Sequence, residues 1–146
     1  MRSEISQGDI FDKLPVARVK YPESLPILKE IRGMLITRDC EFDKKGSIYV
    51  MVTEVRLLKE VNNDSKRNIR DRKTVNTFFI PAEEGFEEAY LDFRRTYQLE
   101  KAFLFDRKDK GFRLKSLDNE ARLALQRQLA IFFGYKRTLV PAVPVL

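Results

Sequence analysis

The chain has 146 residues, 43% of them hydrophobic and 34% charged, with no histidine and a single cysteine, Cys40. One domain spanning 1–146 can bury a real core at this length, while an internal disulfide, histidine acid–base chemistry, Ser-His or Cys-His pairs and imidazole-held zinc or iron are excluded. A net charge of +6 and a pI near 9.5 favour a polyanionic partner, because clustered lysines and arginines gain affinity by releasing counterions from phosphates.

Gly8 leads into a short extended stretch, Asp9-Ile-Phe11, and Pro15-Val-Ala-Arg-Val-Lys20 follows with period two. Pro15 suits a strand start or an edge, not a central strand. Tyr21 to Ile31, with Pro22, Ser24 and Pro26, reads as a loop holding at most one helical turn. Arg32 to Asp39 reads as a buried strand, because Met34-Leu-Ile36 is short, apolar and bounded by Gly33 and a polar cluster. Cys40 to Lys45 is a turn closed by Gly46. Ser47 to Val61 is the longest strand candidate, with Tyr49, Met51, Thr53, Val55 and Leu57 on one face and Ile48, Val50, Val52 and Glu54 on the other. Such length calls for a bend of the kind that turns a barrel corner.

Asn62 to Thr74 is polar throughout and reads as a mobile connection, Val75 to Ile80 as a strand, and Pro81 to Glu88 as an acidic loop. Ala89-Tyr-Leu-Asp-Phe93 and Tyr97 to Phe105 read as strands on either side of Arg94-Arg95, the second also fitting a short helix, and Asp106 to Gly111 as a turn. About 118–134 is the clearest helix: Asp118 suits the N-cap, Glu120 complements the dipole, and Ala121, Leu125, Leu129, Phe132 and Phe133 recur at helical spacing before Gly134 at C′. The tail, 138–146, is apolar enough to pack on the domain, a dimer seam or a partner. No window reaches the roughly 18 apolar residues of a membrane span, and Met1-Arg-Ser-Glu-Ile-Ser lacks a secretory core, which with the lone cysteine points to the cytosol.

The pattern is thus mainly β (α+β), about six strands closed by one amphipathic helix, which suggests a small bent barrel capped by that helix. In this order Gly8-Asp9-Ile10, the arginine-led strand Arg32-Gly33-Met34-Leu35-Ile36-Thr37, Val50-Met51-Val52-Thr53, Leu91-Asp92-Phe93-Arg94-Arg95 and Ser116-Leu117-Asp118 resemble the PemK/MazF family. The resemblance implies an SH3-like barrel, a homodimer, and a metal-independent endoribonuclease toxin with a protein antitoxin, acting on single-stranded RNA without a cofactor. It also implies that Arg32 clamps the scissile phosphate and Thr53 offers it a hydroxyl, while the RNA's own 2′-hydroxyl attacks. Two departures stand out: Gly33 where the family carries proline, and a Thr37-Arg-Asp-Cys-Glu41 turn rich in functional groups. They favour a second reading, a non-catalytic protein- or nucleic-acid-binding component of a bacterial defence or mobile-element system.

Beyond the resemblance, Asp39, Cys40 and Glu41 are candidates for an acidic or nucleophilic site. Cys40 has no histidine to activate it, and Lys44-Lys45 opposes a cation held by Asp39, Glu41 and Asp43. Lys66, Arg67, Arg70, Arg72 and Lys73 form the densest basic run, joined by Arg94 and Arg95, with Tyr97, Phe78 or Phe79 as stacking surfaces.

Overall fold

The computed structural model describes residues 4–19, 21–22 and 24–138, with side chains through residue 134. It is a mainly β, α+β fold in which β1 (Asp9–Val19), β2 (Pro26–Leu35), β3 (Tyr49–Leu57), β4 (Thr77–Ile80), β5 (Ala89–Glu100) and β6 (Arg113–Ser116) form one antiparallel sheet. The strand order is β4-β5-β3-β2-β1-β6. Among the described residues three α-helices lie between strands, α1 (Asp39–Phe42), α2 (Asn63–Arg70) and α3 (Ala102–Asp109), and α4 (Asn119–Thr138) follows the last strand.

Neighbouring residues along a strand face opposite sides, and the sheet buries both. Ile10, Met34, Val55, Phe78, Leu91 and Phe93 pack with Leu125 and Phe132 of α4. On the other face Phe11, Leu14, Leu35, Val50 and Val52 pack with Leu99 and with Leu104 of α3. β3 keeps the two faces expected of it, but its first turn-out is open: Tyr49 and Met51 are exposed, whereas Thr53 and Val55 on the same face are buried.

The sheet curls. Strands β1 and β5 have two others between them, yet Arg18 of β1 and Tyr97 of β5 line one cavity, and Lys29 of β2 lies over the Tyr97 ring at 6.0 Å. At the far ends, Lys115 of β6 ion-pairs with Glu83 and sits 5.7 Å from the Phe86 ring in the loop after β4. No hydrogen-bonded ladder joins β4 to β6 among the described residues.

Several sequence expectations need correction. The stretch from Tyr21 to Ile31 is not all loop: β2 starts at Pro26, and Pro26 to Ile31 pair with β1 from Val19 back to Leu14. Pro15 sits where β1 has lost its other neighbour, since β6 pairs only with Asp9 to Phe11, so the missing N–H costs no ladder bond on that side. The polar connection after Asn62 is α2, because the Asn62 side chain accepts a hydrogen bond from Ser65 N at 2.9 Å as an N-cap and Ile69 anchors the helix in the core. Asp39 to Phe42 make the short α1 at the start of the expected turn, pinned by buried Phe42, and the stretch after Lys101 takes the helical alternative as α3. β6 lies between the turn ending at Gly111 and the Asp118 cap, a stretch to which the sequence pattern assigns no element. The last helix starts as expected, with Ala121 N donating to Asp118 Oδ1 at 2.8 Å, but it runs through Gly134 to Thr138 instead of stopping there. The apolar tail beyond Thr138 lies outside the described residues.

Candidate nucleic-acid interface

Arg94 and Arg95 are displayed by a break in the β3–β5 ladder. Leu91 faces Val55 and Thr96 faces Thr53, so residues 92–95 of β5 stand against Glu54 alone. Backbone left over in this way must find local partners. Asp92 supplies one: its Oδ1 accepts from Arg94 N at 3.0 Å, and its carboxylate also receives Arg94 Nε and Nη2, each at 2.9 Å. Thr96 supplies another, its hydroxyl donating to the Phe93 carbonyl at 2.8 Å. Burial alone would push the Asp92 carboxyl up, but the Arg94 hydrogen bonds and the charges of Arg94 and Arg95 overcome it and hold the group below the ordinary aspartate value.

Around this bulge Arg18, Asp92, Arg94, Arg95, Thr96 and Tyr97 line a cavity of about 490 Å³. Three guanidiniums face one carboxylate there, and Arg18 has no carboxylate partner among the described residues. The half-buried Tyr97 ring adds a flat surface, with Lys29 over it. Arg18 and Lys29 were not singled out from the sequence; the only trace was that Arg18 and Lys20 are the charges in an alternating strand, and only the curl brings Arg18 to β5.

Arg32 and Thr53 do not form an open pair. Met34, not Arg32, stands opposite Thr53. Thr53 is 0% exposed, and its hydroxyl meets Thr96 Oγ1 at 2.8 Å. Because the Thr96 proton is given to Phe93 O, Thr53 is the donor in that pair, and its proton is spent. Arg32 is half-buried and lies 3.7 Å from Asp12 Oδ2.

The basic run sits elsewhere. Lys66, Arg67 and Arg70 lie on α2 and Arg72 and Lys73 just after it, beside the β4 edge, and none lines the arginine cavity. Arg70 is engaged with Glu88 through Nε at 3.1 Å and Nη2 at 2.7 Å, which holds that carboxyl below its ordinary value, and Arg72 stacks on the Phe78 ring at 4.3 Å.

Asp39, Cys40 and Glu41 divide into three roles. Asp39 is a brace: Oδ1 accepts from Gln7 N at 2.8 Å and Oδ2 from Arg122 Nη2 at 2.7 Å, joining the N-terminal turn and α4 to α1. Cys40 is exposed. Glu41 lines a second cavity of about 580 Å³ with Thr37, Arg38, Met51, Thr96, Gln126 and Phe133. Thr96 is shared by the two cavities. Among the described residues no helix is long and apolar enough to cross a membrane. Neither a protein-family model nor a curated protein matches this sequence.

Proposed function

We propose that this chain binds single-stranded RNA as a PemK/MazF-like, SH3-like barrel, and that it is the non-catalytic kind, a nucleic-acid-binding component. One observation carries the reading: Arg18, Arg94 and Arg95 converge with Tyr97 on a single cavity where, among the described residues, Asp92 is the only carboxylate and is already paired. Guanidiniums suit phosphate through paired N–H donors, and a tyrosine face accepts an unstacked base. The curl of the sheet, with β1 brought to β5 and Lys115 to the loop after β4, supports the barrel. The buried, spent hydroxyl of Thr53 speaks against cleavage by Arg32 and Thr53.

The test is fluorescence anisotropy with a labelled oligouridine at several salt concentrations, alongside a gel of the RNA after incubation. Affinity should fall with salt by about 0.7 log units per log unit for each phosphate held. Arg18→Ala and Arg95→Ala should each weaken binding and flatten that slope, while Lys45→Ala, in the turn before Gly46, should not. Arg94→Ala is a poorer probe, because it strips the buried Asp92 of its main partner. Absence of binding at low salt, or binding indifferent to Arg18 and Arg95, overturns the proposal; RNA fragments that vanish in Arg32→Ala would restore the nuclease.

A further inference from the structure

The larger cavity lies between α4 and the open part of β3. Its walls are Ile36, Met51, Leu129, Ala130 and Phe133, and its volume of about 580 Å³ falls within the range of small-ligand sites. Among the described residues, the hydrogen bonds around it leave some of its polar groups without a partner. Gln7 Nε2 donates to the Ile36 carbonyl at 2.7 Å, so Gln7 Oε1 must face Gln126, whose Nε2 donates to it at 2.9 Å. That fixes Gln126 Oε1 as an acceptor with no partner among the described residues. Thr37 Oγ1 accepts from Met51 N at 2.8 Å, which leaves its O–H to donate. Arg38 and Glu41 line the same cavity, and neither has a side-chain ion pair among the described residues.

We infer that this cavity is a guanine pocket. The uncommitted acceptors are a carboxylate and an amide oxygen, and guanine is the base whose Watson–Crick edge presents two adjacent donors, N1–H and the N2 amine, to a carboxylate. Adenine, cytosine and uracil each place an acceptor beside their donor, against which Glu41 would be repelled. Phe133 and Met51 give the base apolar faces to stack on. Arg38 and the Thr37 hydroxyl supply donors for the O6 atom or a phosphate. Through the shared Thr96 the pocket adjoins the arginine cavity, so a guanosine within a bound RNA fits it. The pocket rests on the RNA reading only for that source; a free guanine nucleotide offers the same edge.

Binding is measured with GMP, AMP, and oligouridines carrying one central guanosine or adenosine. The guanosine oligomer should bind about tenfold tighter than the adenosine one. Inosine, which lacks the N2 amine, should lose most of that gain, and 7-deazaguanosine should keep it. Glu41→Gln, at an exposed residue, should bring the guanosine oligomer down to the adenosine level. Equal binding of the two oligomers overturns the pocket while leaving the RNA proposal standing, and so does a guanosine preference that survives Glu41→Gln. Binding of GMP over AMP with no oligomer bound supports the pocket and overturns the RNA proposal.

Discussion

Thr53 and Thr96 share a hydrogen bond of 2.8 Å between their hydroxyl oxygens, and through it the β3 strand holds the base of the arginine-bearing bulge. The chain of donation runs from Thr53 to Thr96 to the Phe93 carbonyl. Thr53→Val keeps the shape and removes the first link. It should cost about 1 kcal/mol in urea unfolding, the net worth of an ordinary buried hydrogen bond, and leave RNA affinity within about twofold. A large loss of affinity at unchanged stability would place the Thr53 hydroxyl at the RNA after all.

Gly33 is where the strand departs from the arginine–proline pattern, and the sheet explains the departure. It is paired on both sides, with Phe11 of β1 and Glu54 of β3, so its strand is central at that point. Proline there would remove a ladder hydrogen bond and set its ring against two neighbours. Gly33→Pro should destabilise by about 3 kcal/mol or more. Gly33→Ala is milder, because the added Cβ would lie 3.1 Å from Leu14 Cδ1, a side-chain end that can shift. Thermal melts of both variants should rank them in that order, and tolerance of proline would mean that this part of β2 is not a central strand in solution.

How far the sequence reveals this molecule depends on whether the signal is local. The faces of β3, the edge position of Pro15 and the Asp118 cap follow from period and cap chemistry, which neighbouring residues decide. The strand from Pro26 to Ile31 did not, because Ile27 and Leu28 are exposed there and, among the described residues, its ladder runs on one side alone, with β1. α2 was hidden by polarity: Ile69 is its one buried side chain, and the Asn62 cap was read as loop composition. Of the basic residues, Arg94 and Arg95 were found as a pair in a strand break, which the bulge explains. Arg18 could not be, since its place beside them comes from the curl of the whole sheet. Arg32 and Thr53 come from the resemblance, and what no sequence pattern shows is that the Thr53 hydroxyl is buried and engaged with Thr96 while Arg32 turns to Asp12.

Asp39 ties three segments together and should behave as a structural residue. Asp39→Ala frees Gln7 N and Arg122 Nη2, both part-buried, and should cost about 1.5–3 kcal/mol, the range for hydrogen bonds to a charged group. Cys40→Ser, beside it and exposed, should change stability by less than about 0.5 kcal/mol. Chemical denaturation of the two variants checks the contrast, and a Cys40→Ser cost as large as that of Asp39→Ala would show that the thiol is buried.

Acid should reach the arginine bulge through Asp92. Its folded carboxyl titrates below the ordinary aspartate value, so the folded state binds that proton less readily than the unfolded chain does. The linked stability is therefore complete above the unfolded value near pH 4 and drains away as the pH falls through the lower folded value. Asp92→Asn should cost about 1.5–3 kcal/mol at neutral pH, because hydrogen bonds from Arg94 to a charged acceptor become bonds to a neutral one. The gap between wild type and variant should stay flat from pH 7 to about pH 5 and narrow below about pH 4. A gap that persists unchanged to pH 2.5, or that widens on acidification, would show that the Asp92 carboxylate is not held ionised by Arg94 and Arg95.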